Sequence, residues 1–305
     1  MARRSGSLIC ERCNPVPTDA LTQYIEQERP RAKSLIVTVY GDALLPYGGA
    51  CWLGELIDLV APLGLNERMT RTAVFRLVQD GTLEAERIGR RSRYTLTRRG
   101  RRQFDSAQAR IYASGPPARD GRWTFIILPD ALAPGQRDSL DQRLGWQGFA
   151  RLSPGLLGAA RGDATQIAQD TLDDLSLTDD CAVFSAEATA ANGLLSLAAR
   201  AWPLEEIAAD YSAFVKHFQP VLQDADQLVA ESAFVARILL IHAYRRTLLR
   251  DPALPDDLLP EDWPGTKARA LARDLYHHLS QATDQYLRAN LEIEMPAQNS
   301  IIRFG

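Results

Sequence analysis

Asn66-Glu67-Arg68-Met69-Thr70-Arg71-Thr72-Ala73-Val74-Phe75-Arg76-Leu77-Val78-Gln79-Asp80-Gly81 is the stretch on which the reading of this chain turns. Asn66 is a good helix N-cap, Glu67 places an acid in the first turn where the helix dipole favours one, and Gly81 is a common C-terminal stop. Wound at about 100° per residue, Thr70, Ala73, Val74, Leu77 and Val78 fall on one side and face a core. Arg68, Thr72, Arg76 and Gln79 fall on the other, with Arg71 and Phe75 at its margin.

Upstream, Trp52 to Val60 carries apolar residues at helical spacing and is stopped by Pro62 and Gly64. Two short helices joined by a Gly-containing turn, the second with an Arg/Thr outer face, predict a helix-turn-helix. Downstream, Thr82–Ile88 and Arg93–Thr97 read as strands around the Gly89-Arg90-Arg91-Ser92 turn, a hairpin. A basic hairpin directly after such a helix predicts a winged helix-turn-helix. From Glu86 to Arg102 there are eight arginines and one glutamate, and charges so close repel one another unless a polyanion neutralises them. Charge runs are commonly no more than a solvated face, but here spacing, outer face and wing agree on DNA.

Working further outward, residues 1–33 form a polar extension with a helical candidate at Thr18–Glu28. The apolar run Ala32–Tyr40 fits either a buried helix or a strand. Residues 119–190 give strand, helix, two strands, helix and strand, the order of a ferredoxin-like fold. From Ala191 onward three helices are expected, Leu204–Phe218, Gln223–Leu249 and Thr266–Ala289, divided by Pro220 and by the Pro-rich Asp251–Pro264 stretch. The expected class is therefore α+β multidomain. A winged helix-turn-helix occupies 34–118, a ferredoxin-like α/β middle domain 119–190, and a helical C-terminal domain 191–305.

The 305 residues carry a net charge of −3, which divides into +6 on residues 1–120 and −9 on residues 121–305, so one end is basic and the other acidic. Arginine abundance alone reflects no more than genome composition; its placement is the informative part. No apolar run approaches the ~18 residues of a membrane span, and the amino terminus lacks the apolar core of a signal peptide, which predicts a cytoplasmic protein with no membrane partner. Four cysteines are too few for a disulfide framework, and the Cys10/Cys13 pair has no second ligand pair at zinc-finger spacing, so no metal is expected.

Asn66-Glu67-Arg68, Arg71 to Leu77 and Ile88-Gly89-Arg90-Arg91-Ser92 closely resemble the phenylacetate-catabolism repressor family of PaaX type. So do Trp146-Gln147-Gly148-Phe149 in the middle segment and, in the last, Leu240-Ile241-His242, Tyr244-Arg245-Arg246, Asp251-Pro252-Ala253-Leu254-Pro255, Leu258-Leu259-Pro260 and Trp263. The resemblance runs from about Leu21 to Gly305. It implies a homodimeric repressor of phenylacetate-degradation genes, released from its operator by phenylacetyl-CoA; no cofactor is expected. It also implies a middle domain similar to a CRISPR-associated nuclease. The extension bearing Cys10 and Cys13 departs from the family pattern.

On this reading Arg68, Arg71, Thr72 and Arg76 lie in the major groove, where arginine paired to guanine discriminates by ~1–3 kcal/mol. Arg90, Arg91 and Arg93 of the hairpin meet phosphates or the minor groove. An acyl-CoA effector needs an apolar slot and cationic groups, and His242, Tyr244, Arg245, Arg246 and Trp263 are the candidates by residue type. A lone histidine among apolar residues is more often a satisfied core residue. Another aromatic acid or acyl-CoA is an alternative effector. A rival of a different class, a metal-dependent nuclease, rests on Asp130 alone, whereas two-metal chemistry needs several carboxylates.

Overall fold

The computed structural model describes residues 16–115, 121–187, 192–292 and 303–304; Cys10 and Cys13 lie outside them. The chain opens with α1 (Val16–Glu28) and α2 (Ala32–Val39), so the run left open between helix and strand is a helix. Its β-branched residues are outweighed by burial of Leu35, Ile36 and Val39 against neighbouring helices. A π-turn (Tyr40–Leu44) carries the chain to β1 (Ala50–Trp52), then α3 (Leu53–Val60) and α4 (Glu67–Gln79). β2 (Leu83–Ile88) and β3 (Arg91–Leu96) form the expected hairpin, and β1 adds to it as a third antiparallel strand in the order β1-β3-β2. The sequence reading has no strand here and starts the following helix at Trp52, which the structure instead places at the end of β1. α5 (Arg98–Ile111) follows.

The middle unit runs β4 (Arg122–Ile127), α6 (Pro134–Gly145), β5 (Ala150–Ser153), β6 (Leu156–Ala159), α7 (Ala164–Leu175) and β7 (Ala182–Glu187). Its sheet order is β5-β6-β4-β7, with every neighbouring pair antiparallel. Strand alternation sends Ile126 and Leu128 into a core with Leu140, Leu144, Ala168 and Leu172. Trp123 lies on the opposite face with Trp202 and Leu254.

Among the described residues four longer helices follow: α8 (Asn192–Ala201), α9 (Leu204–Gln223), α10 (Ala230–Leu248) and α11 (Gly265–Asn290). Pro220 does not end a helix as the sequence suggested; it lies inside α9. It and Lys216, whose carbonyl it leaves without a helical donor, are both exposed, while the buried Phe218 and Val221 anchor the last turn. No described helix is long and apolar enough to cross a membrane.

The amino-terminal and carboxy-terminal helical parts share one core. Leu21, Leu35, Ile36, Val74 and Leu77 belong to the same cluster as Phe218, Phe234, Ile238, Ile241, Leu275 and Leu287. A buried ionic knot reinforces it. The Asp42 carboxylate, in the π-turn, accepts from Arg237 Nε at 2.8 Å, Arg303 Nη1 at 3.1 Å and the Tyr112 hydroxyl at 2.7 Å. Both guanidiniums lie over aromatic rings, Arg237 on Tyr276 and Arg303 on Tyr112.

The middle unit docks through Arg110 of α5, which donates to the carbonyls of Leu248, Leu249 and Asp251 at the C-terminal end of α10 and to that of Trp146. Trp202 Nε1 donates to the Gly148 carbonyl, and the Asp251 carboxylate accepts from Tyr211 and from the Ala253 amide. The Trp146–Phe149 and Asp251–Pro255 motifs thus meet at one junction, which is why each is where it is.

Candidate nucleic-acid interface

α4 is built as its sequence requires. The Asn66 side chain accepts from the Met69 amide at 2.9 Å, and Thr70, Ala73, Val74 and Leu77 are buried. Arg68, Arg71, Thr72, Phe75, Arg76 and Gln79 are all exposed. Arg71 is paired with Glu67 one turn earlier, and the Thr72 hydroxyl donates to the Arg68 carbonyl, so neither is unengaged. Arg68 and Arg76 have no ion-pair partner among the described residues. Phe75, which the wheel puts at the margin of the outer face, is 61% exposed.

The hairpin turns on Gly89 and Arg90, with Gly89 at φ 63° where a side chain would be strained. Every residue from Glu84 to Arg91 is exposed, an unburied ribbon beside α4. Arg93 faces Glu86 across it. Arg91 is held differently from Arg90 and Arg93. Its guanidinium lies 4.2 Å over the Trp52 ring, 2.8 Å from Glu292 and 3.6 Å from Glu55. The Glu292 amide in turn donates to Glu55, tying the end of α11 to α3 and the hairpin.

The run of eight arginines divides in space. Arg87, Arg90, Arg91 and Arg93 are on the hairpin, but Arg98, Arg99, Arg101 and Arg102 open α5, correcting the sequence reading that gave the whole charge to a wing. Thr97 caps α5 by accepting from the Gly100 amide and donates to the Gly81 carbonyl, which fixes the helix start against the base of the hairpin. Its first turn holds no acid, so these cations sit where the helix dipole opposes them by roughly 0.3–1 kcal/mol each. An anion bound there would offset that cost.

The five effector candidates are engaged in separate contacts. His242 is buried, its Nδ1 3.1 Å from the Thr38 hydroxyl, and burial with the nearby Arg245 and Arg246 charges pushes its pKa down to about 3. Arg245 clasps α2 through Thr38 Oγ1 and through the carbonyl and hydroxyl of Ser34, and burial lowers its pKa to about 10. Tyr244 is buried against Phe214. Arg246 is exposed and faces Glu28 on α1, and Trp263 packs edge-on against Tyr211. His242 and Arg245 therefore serve the α2–α10 contact. No group of three or more His, Cys, Asp or Glu side chains that could hold a metal ion converges among the described residues, Asp130 included.

Fold and site together define a mixed α+β protein that carries exposed arginines on α4, the hairpin and the start of α5. Residues 31–100 match the PaaX-like protein family, and residues 202–289 match the PaaX-like protein C-terminal domain. Over 284 residues the chain is 38% identical to the transcriptional repressor PaaX of Escherichia coli strain K12, covering 89% of each chain. A solved structure of an uncharacterized protein from Mycobacterium tuberculosis aligns with 24% identity and a TM-score of 0.48, covering 85% of this chain and 98% of that one. The chain belongs to the PaaX-like family.

Proposed function

We propose that this protein is a transcriptional repressor of PaaX type that reads duplex DNA through a winged helix-turn-helix, with α4 as recognition helix and β2–β3 as wing. The observation that carries the reading is the exposed arginine surface of α4, the hairpin and α5, lying on a chain 38% identical to a named repressor. The order α2, β1, α3, α4, β2, β3 with sheet order β1-β3-β2 supports the winged-helix assignment. The all-antiparallel order β5-β6-β4-β7 supports a ferredoxin-like middle unit.

A cytoplasmic homodimer would place two copies of α4 about 34 Å apart on a two-fold operator. Phenylacetyl-CoA is the effector the family resemblance suggests. It must bind the operator-incompetent arrangement better than the competent one, since equal affinity for both shifts nothing. The contact test separates reading from positioning. Arg68→Ala relaxes sequence preference, whereas Arg90→Ala weakens specific and random duplexes alike and flattens the slope of log K against log salt by about 0.9. Equal loss on specific and random DNA for Arg68→Ala overturns the role of α4. Release of DNA by free phenylacetate and not by the thioester overturns the effector.

A further inference from the structure

Phe75, 61% exposed, is the one aromatic side chain on an outer face of α4 otherwise made of Arg68, Arg71, Thr72, Arg76 and Gln79. At about 100° per residue Phe75 lies only about 20° from Arg68 around α4, with Arg71 and Thr72 on either side. It is therefore central to the surface that faces outward. Its ring forms the lip of a groove between α4 and the hairpin, a space of about 340 Å³ lined by Leu53, Val74, Val78, Ala85 and Tyr94 together with Arg71. The groove walls carry the packing on that side, and the larger part of the ring is left uncovered.

In a major groove the one apolar feature a base edge presents is the 5-methyl group of thymine, and phenylalanine is one of the side chains that contacts it. We propose that Phe75 is a specificity-determining residue that reads a thymine methyl within the half-site, beside the polar contacts of Arg68. The assignment rests on α4 being the recognition helix. It gives a role to the outward apolar residue that the charge argument leaves unused. Arginine draws α4 to the duplex, and Phe75 penalises a base that lacks the methyl.

The probe is a random-sequence duplex library, from which the protein and its Phe75→Ala and Phe75→Leu variants each select binders. Every selected thymine is then replaced singly by deoxyuridine, which removes only the methyl. The expected result is one thymine whose replacement weakens the parent protein about fourfold, the worth of one buried methyl. Phe75→Ala should be indifferent to that replacement and select no thymine there, while Phe75→Leu keeps part of the preference. Phe75 is exposed, so the variants should unfold at the parent's temperature, which circular dichroism checks. A Phe75→Ala protein with the parent's thymine preference and the same deoxyuridine penalty overturns the inference and leaves DNA reading standing. A parent that enriches no sequence at all overturns the DNA reading, and this inference with it.

Discussion

Asp42 brings together the π-turn, the residue that ends α5, α10 and Arg303, and two guanidiniums and a tyrosine hydroxyl answer its single buried carboxylate. Removing its charge leaves two buried cations short of a partner. Asp42→Asn should therefore cost about 3–5 kcal/mol in urea unfolding. Asp284, half-exposed and 3.6 Å from Arg237, should cost under about 1 kcal/mol when changed to Asn. His242 gives a pH prediction. Its pKa is about 3 in the folded chain against 6.5 when unfolded, so between those values the unfolded chain binds a proton that the folded chain refuses. Its contribution is fully favourable above pH 6.5 and is lost as pH falls, by about 1.4 kcal/mol per unit. A His242→Gln variant should lose less stability than the parent between pH 7 and 5, read from urea midpoints. An equal loss would mean that His242 takes up its proton in the folded state.

Gly100 is the position at which one element fixes another. A Cβ there would collide with the Thr82 carbonyl oxygen, so Gly100→Ala, which helix propensity alone would favour, should instead destabilise by about 1–3 kcal/mol. Gly54→Ala in α3, where a Cβ meets nothing within 4 Å, should be neutral or gain up to about 1 kcal/mol, and thermal unfolding of both variants gives the comparison. Glu292→Gln removes the nearer of the two acids beside Arg91, leaving Glu55 at 3.6 Å. The slope of log K against log salt for random duplex should then steepen by about 0.9 as one more phosphate is neutralised. At this scale much was legible in the sequence. The Asn66 cap, the buried face of α4, the hairpin and the helices of the middle unit follow from local patterns. β1 was not, because three residues carry no period and their partner strand lies more than 40 residues on. Nor was the hold on Arg91, since Trp52, Glu55 and Glu292 meet it only through the fold.

Across the whole molecule, periodicity in α2 and α10 shows that each has a face to bury but not that they bury it against each other. Residues 34–118 and 191–305 could therefore be read as separate stretches while sharing one hydrophobic cluster. A fragment of residues 1–118 should consequently lack fixed tertiary structure, visible as a weak near-ultraviolet dichroism signal and early proteolysis. A sharp cooperative transition in that fragment would show that its own core suffices. The shared core also orders events on the ribosome. The packing around α2 is complete only after α10 and α11 have emerged, and the roughly 190 residues from Leu96 to Leu287 take about 10–40 s to synthesise. A nascent chain therefore displays its arginine surface before that surface is held rigid, and on the proposed function selective reading of DNA would begin only when translation is nearly done.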